Sequence, residues 1–268
     1  MRASLLIGLW CCSLMAGAGA ATQPDPFPQV AHAYLVEVDG TVLWEKQSTR
    51  RLPPASLTKL MTALLVLEQS QLQATVNIST AATRETGSRL RIKPGEHFLT
   101  QDLLAATLMQ SANDACHALA AHVAGSEAAF VKLMNRRAQE IGLRGTHFQN
   151  ACGHDAPQHL STATDLARLA HELLKHPEVI AITSQATTSI TSLEGKSYKV
   201  SNKNALIGRY PGALGLKTGY TPSAGKCLIA YAKRKDKEVI LVMLHGQDRW
   251  WDTVDILDLA FEHATHTP

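Results

Sequence analysis

The strongest constraint on the fold is that strand patterning lies at the two ends of the sequence, while helical patterning fills the middle. Near the start, "AHAYLVEV" and "TVLWEKQ" alternate polar with apolar residues around Asp39-Gly40, a two-residue hairpin signal. Near the end, "GLKTGYT", "CLIAYAKR" and "EVILVMLHG" read as strands, the last two joined by the charged turn Lys235-Asp236-Lys237. Between them, Leu57, Leu60, Met61, Leu64 and Leu65 follow helical spacing, with Pro53 and Pro54 where that helix begins. "LTQDLLAATLMQ", "NDACHALAAHVAG", "SEAAFVKLMNRRAQEIG" and "TATDLARLAHELLKH" read as further helices. Thr100, Ser126 and Thr162 supply start signals, and Gly125 and Gly142 close two of them. A final helix runs from about Trp251 to His263. This segregation predicts an α+β fold, with one sheet built from both chain ends and a helical insert beside it.

The first twenty residues read as an export signal. Arg2 is followed by the apolar "LLIGLWCCSLM" and by "AGAGA", whose small residues suit cleavage after Ala18 or Ala20. The apolar run is short for a membrane span and lacks a stop-transfer flank. Residues 21–30 then form a short exported segment, and residues 31–268 a single domain with no internal repeat or low-complexity tract. A net charge of +3 over 268 residues, without interleaved aromatic and basic residues, gives no nucleic-acid signal. Export gives cysteine a redox meaning. Cys116, Cys152 and Cys227 follow the signal, so at most one internal disulfide forms and at least one thiol remains.

In "PPASLTKLM", Lys59 follows Ser56 by three residues, roughly 60° around a helix and beside an apolar stripe that must be buried. Ser56 also lies at the positive end of the helix dipole, with its own N–H free. A serine hydroxyl needs a base to take its proton, and a lysine serves only if desolvation or a second cation keeps it neutral. The pair alone is weak, since Ser223 and Lys226 repeat the spacing, though Gly225 and the flanking strands deny them a helix. Two further tripeptides add weight. Ser111-Ala112-Asn113 falls between helices, where both polar side chains can turn into a cleft. Lys217-Thr218-Gly219 lies on a strand, with Gly219 permitting close backbone approach by a ligand.

These three motifs in this order occur together in penicillin-binding proteins and class A β-lactamases. With "GSRLRIKPGE", "GTHFQNACGHD", "HLSTATDLARLA" and "GLKTGYTPSAGKCL", the chain from about Ala31 to His263 resembles the serine D-alanyl-D-alanine carboxypeptidases. The resemblance implies a β-lactamase-like fold: a five-stranded antiparallel sheet, a helical subdomain, and the active site in their seam. It implies that Ser56 is acylated by peptidoglycan stem peptides ending in D-Ala-D-Ala, and by β-lactams as covalent inhibitors. Lys59 would be the base, Lys217 would help hold it neutral, and Ser111 would pass a proton to the departing D-alanine. Asn113 would bond Lys59 and the substrate amide, and the N–H groups of Ser56 and Tyr220 would form the oxyanion hole. Thr218, Lys217 and Arg249 would receive the terminal carboxylate. No cofactor and no metal are implied.

Departures from the family pattern carry further expectations. Class A β-lactamases use a glutamate after the S-x-N motif for deacylation, and no glutamate lies between Glu140 and Glu172 here, so penicillin should stay on Ser56. The chain ends about fifty residues after Lys217, and its last helix is acidic on its polar side. That suits packing on the sheet better than lying on anionic lipid, so an exported protein without a permanent membrane anchor is expected in the periplasm or extracellular wall space. By the fold analogy, Cys116 and Cys152 face each other across the site and are the favoured pair, leaving Cys227 a buried thiol. Three rival readings remain. A zinc enzyme is disfavoured because His171 and His176 are spaced by five rather than four. A silent peptidoglycan-binding module is disfavoured by the intact motifs. A D,D-endopeptidase would use the same machinery on a larger leaving group.

Overall fold

The computed structural model describes residues 25–266, so the export signal read at residues 1–20 lies outside the described residues. One five-stranded antiparallel sheet organises the chain. Its first two strands, β1 (Ala31–Val38) and β2 (Thr41–Lys46), form the expected hairpin, with Asp39 and Gly40 both at positive φ (48° and 77°). The last three, β7 (Ala213–Thr221), β8 (Gly225–Arg234) and β9 (Lys237–Gly246), complete the order β2-β1-β9-β8-β7. The two chain ends are thus joined by the β1–β9 pairing, for instance Leu35 opposite Val242.

The central strands are buried on both faces, and alternation sorts their side chains into two cores. Ala33 and Leu35 of β1 and Ile240, Val242 and Leu244 of β9 face the helical subdomain. Tyr34, Val36, Val239, Leu241 and Met243 face the C-terminal helix α8 (Trp251–His266). That helix lays Ile256, Leu257, Ala260 and Phe261 on the sheet, as its pattern suggested. Among the described residues no helix is long and apolar enough to cross a membrane.

The helical subdomain is centred on α1 (Lys59–Gln69), entered through a 3-10 turn at Ala55–Thr58. Leu60, Met61, Leu64 and Leu65 are all buried in the larger core. Around α1 lie α3 (Thr100–Ala105), α4 (Asn113–Ala124), α5 (Glu127–Glu140) and α6 (Ala163–Leu174), with two shorter helices, α2 (Thr80–Thr83) and α7 (Pro177–Thr183). Ser126 and Thr162 cap α5 and α6 through their hydroxyls, and Gly125 ends α4 at φ 76°. Thr100 does not cap α3: Leu99 holds that position, and the Thr100 hydroxyl donates instead to Ala74 O. Two small hairpins have no counterpart in the sequence reading: β3 (Thr75–Asn77) with β4 (His97–Leu99), and β5 (Thr187–Thr191) with β6 (Ser197–Ser201).

Cys116 and Cys152 are disulfide-bonded with Cα atoms 6.0 Å apart, and Cys227 is a buried free thiol, as the fold analogy implied. The histidines weighed for zinc are employed otherwise. His171 Nε2 lies 2.5 Å from Glu37 Oε2, and His176 sits outside α6, at the start of α7.

Candidate active site

The turn that carries Ser56 is squeezed between two glycines. Ala55 has φ 49°, an uncommon conformation for a residue with a Cβ, and it directly precedes Ser56. On one side, a Cβ on Gly153 would lie 2.0 Å from Ala55 O. On the other, a Cβ on Gly219 would lie 3.1 Å from Pro54 O and 3.2 Å from Ser56 N. Gly219, expected to admit a ligand, lines the cleft, and its lack of a side chain also makes room for the chain's own backbone. The turn is braced from below by Thr58, which donates to Ala55 O at 2.8 Å and lies 2.7 Å from His159 Nε2. Because His159 Nδ1 accepts from Gln149 N at 3.0 Å, its Nε2 is the donor to Thr58. Burial holds that ring neutral, lowering its pKa to about 4.

Lys59 lies fully inside, 0% exposed. Its Nζ reaches Ser56 Oγ at 3.2 Å, Asn113 Oδ1 at 2.7 Å and the Cys152 carbonyl. Two of these partners are carbonyl oxygens that only accept. When Lys59 is neutral, its two remaining N–H bonds satisfy them, and its lone pair is left for the Ser56 hydroxyl. Burial is the main cause that lowers Lys59 to about 7, helped by the charge of Lys203 and opposed by Glu85.

Lys217 is also buried, 1% exposed, and donates to the Thr218 carbonyl at 2.9 Å. Burial first, then the charges of Lys59, Lys203 and Arg249, drive it well below the ordinary lysine range. Two ammonium groups in one seam oppose each other's protonation, so the charge of either lysine disfavours that of the other.

Ser111 and Asn113 reach the seam through an irregularity. After α3 the helix widens into a π turn at Ala106–Gln110, closed by Ala112 N to Ala106 O at 3.1 Å, and Ser111 takes φ 62°. Asn113 opens α4 and bridges two walls, accepting from Lys59 and donating Nδ2 to Thr86 O at 2.6 Å. Arg249, after β9, donates to Gly219 O at 2.8 Å and Cys227 O at 3.3 Å, fixing its guanidinium beside β7.

Ser56, Ser111, Asn113, Thr218, Gly219, Tyr220 and Arg249 line one cleft of about 520 Å3, with Lys59 and Lys217 buried beneath it. Tyr220 is 63% exposed at its rim. Ser223 and Lys226 stay apart from it: Ser223 precedes β8, and Lys226 Nζ donates to Gln247 O. Sequence reasoning gave no part in the site's chemistry to Gly87, Ser88, Cys152, Gly153, His154 or Lys203, which also line the cleft. Five of the six lie in or next to "GSRLRIKPGE" and "GTHFQNACGHD", segments that carried the resemblance without an assigned chemistry.

An antiparallel sheet, a helical subdomain and a serine–lysine pair in their seam define the fold of the DD-transpeptidases and penicillin-binding proteins. The Streptomyces K15 DD-transpeptidase superposes with a TM-score of 0.83 at 28% identity, over 90% of this chain and 100% of that one. A D-alanyl-D-alanine carboxypeptidase of Mycobacterium tuberculosis H37Rv gives a TM-score of 0.84 at 30% identity, over 91% and 95%. The D-alanyl-D-alanine carboxypeptidase DacF of Bacillus subtilis is 36% identical over 280 residues, 99% of this chain and 72% of that one. The D-alanyl-D-alanine carboxypeptidase family model, peptidase family S11, matches residues 20–248, and the chain belongs to that family.

Proposed function

We propose that this protein is a serine D-alanyl-D-alanine carboxypeptidase that trims the terminal D-alanine from peptidoglycan stem pentapeptides through an acyl-enzyme on Ser56. The observation that carries the reading is the hydrogen-bond set of Lys59, whose two carbonyl partners leave its lone pair for the Ser56 hydroxyl. Lys59 takes the serine proton as Ser56 attacks the carbonyl between the two D-alanines. The N–H groups of Ser56 and Tyr220 receive the developing oxyanion. Ser111 relays the proton to the departing amine, and Asn113 orients both Lys59 and the substrate amide. The terminal carboxylate is met by Thr218, Lys217 and Arg249, and an anion there restores to Lys217 the charge that burial disfavours. The protein is exported and works in the cell-wall space, and β-lactams acylate the same serine.

The test is Ser56→Ala together with the wild type. The wild type is expected to be labelled by fluorescent penicillin at Ser56 and to convert a pentapeptide stem to the tetrapeptide by mass spectrometry. The variant is expected to fold and do neither. Labelling of the variant, for instance at Ser223, would show the assignment to be wrong. A wild type that cuts a cross-linked stem dimer in preference to the pentapeptide would favour the endopeptidase.

A further inference from the structure

Water must open the acyl-enzyme, and the loop where class A β-lactamases place a glutamate for that task has none here. It has His154, which lines the same cleft as Ser56. Contacts from its neighbours fix where it stands. Gly153 is pressed so closely on the nucleophile turn that a Cβ there would lie 2.9 Å from Ser56 N. Cys152, one residue earlier, gives its carbonyl to Lys59. Asn150 clamps the backbone: its Oδ1 accepts from Gly153 N at 2.7 Å and His154 N at 3.0 Å, and its Nδ2 donates to His154 O at 2.9 Å.

The ring is held as firmly as the backbone. Nε2 lies 2.7 Å from Oε2 of Glu85, which comes from the segment after α2 and has a side chain only 16% exposed. A carboxylate only accepts, so Nε2 carries a proton, and the neutral form of the ring has its lone pair on Nδ1. Nδ1 has no protein partner among the described residues. Glu85 is also the carboxylate whose charge acts on Lys59, and His154 lines the cleft together with Ser56. Burial works to raise the Glu85 pKa, yet His154, His117 and Lys59 together hold it below the ordinary carboxylate range, as an ionised orienting group requires.

We propose that His154 is the general base for deacylation and that Glu85 is its positioning residue. The inference rests on the acyl-enzyme reading above. An O–H bond of water breaks, its proton passes to Nδ1, and its oxygen bonds to the ester carbonyl carbon. On collapse the C–O bond to Ser56 breaks, the imidazolium proton returns to Ser56 Oγ, and the product acid ionises. A carboxylate behind an imidazole fixes its tautomer and stabilises the imidazolium. Long-lived penicillin adducts are compatible with this base, because the leaving amine of a β-lactam stays tethered in the space the water needs.

The experiment separates acylation from deacylation in the full exported protein. A D-Ala-D-lactate depsipeptide stem is used for its faster acylation, with rapid quenching and intact-mass spectrometry to follow acyl-Ser56, and fluorescent penicillin labelling to follow acylation alone. In His154→Ala the acyl-enzyme is expected to accumulate and its hydrolysis to slow by about 100-fold or more, while the labelling rate stays within about twofold. Added imidazole restores part of that hydrolysis. His154→Gln, which retains a polar group, shows the same defect without rescue. Glu85→Gln slows hydrolysis less, again with labelling preserved. Wild-type deacylation in both His154 variants overturns the proposal. So does an equal fall in acylation and deacylation in both, which marks a structural role. A wild type that forms no penicillin adduct at Ser56 overturns the acyl-enzyme reading instead, so the two failures are told apart.

Discussion

If Lys59 is the base for acylation, protonating it should switch acylation off, and its surroundings set where that happens. The side chain is fully buried, and its pKa is lowered from 10.5 to about 7. The neutral fraction is therefore about one half at pH 7 and about one tenth at pH 6, each further unit costing roughly tenfold. The second-order rate constant for penicillin acylation reports on the free enzyme. It is expected to rise with a slope near one below pH 7 and to level off above pH 8. Timed labelling with fluorescent penicillin over pH 5.5–8.5, with folding checked at each pH, measures it. Lys59→Arg carries a guanidinium that does not deprotonate, and should lose about 100- to 10,000-fold with no rising limb. The same shift makes stability depend on pH. Between about 7 and 10.5 the unfolded chain binds a proton at Lys59 that the folded chain does not, so stability rises with pH in that window. From pH 7 to 9 this linkage amounts to about 2 kcal/mol, and Lys217, shifted in the same direction, adds to it. Below the folded pKa both states are protonated and the contribution is flat. An acylation rate constant that is flat or falls between pH 6 and 8 in folded protein would refute Lys59 as the base.

Other predictions test the walls of the cleft. Arg249→Ala should lose roughly 10- to 150-fold in kcat/KM on a peptide with a free terminal carboxylate, from a charge-assisted bond of about 1.5–3 kcal/mol, and much less on the amide. Equal losses on acid and amide would remove the carboxylate role. The Cys116–Cys152 bridge spans 36 residues of sequence. Replacing both cysteines with serine should cost about 4 kcal/mol and lower the melting temperature by roughly 8–16 °C in calorimetry. Non-reducing peptide mapping that finds three alkylatable cysteines would contradict the bridge. Gly153→Ala forces a Cβ to within 2.0 Å of Ala55 O and should cut penicillin labelling at least about tenfold. Gly195→Ala is the control, with a similar φ of 88° and open space around it, and should leave labelling intact.

Much of the fold was legible because its rules are local. Alternation around Asp39-Gly40 and 3.6-residue periodicity after Pro54 report which faces are buried, and burial forms both elements. The paired hairpins β3–β4 and β5–β6 were not legible. Their strands are three to five residues long, with a single buried residue each, too short for a clear alternation signal. The π turn before Ser111 was hidden for a different reason, since "LTQDLLAATLMQ" has ordinary helical periodicity and the extra residue per turn comes from packing.

What the sequence by itself determined is which residue types stand at which spacing: a serine and lysine on one helix edge, a serine and asparagine between helices, and a lysine on a strand. Tertiary structure alone decided how they behave. Lys59 and Lys217 are ordinary lysines until folding removes them from water, and burial is the main cause that lowers both. The Cys152 carbonyl reaches Lys59 across 93 residues and Asn113 across 54. Glu85 and His154, 69 residues apart, meet only because the segment after α2 and the loop after α5 wall the same cleft. Local pattern dictates secondary structure, whereas electrostatics acts through space and depends on which distant groups the fold brings within a few ångströms.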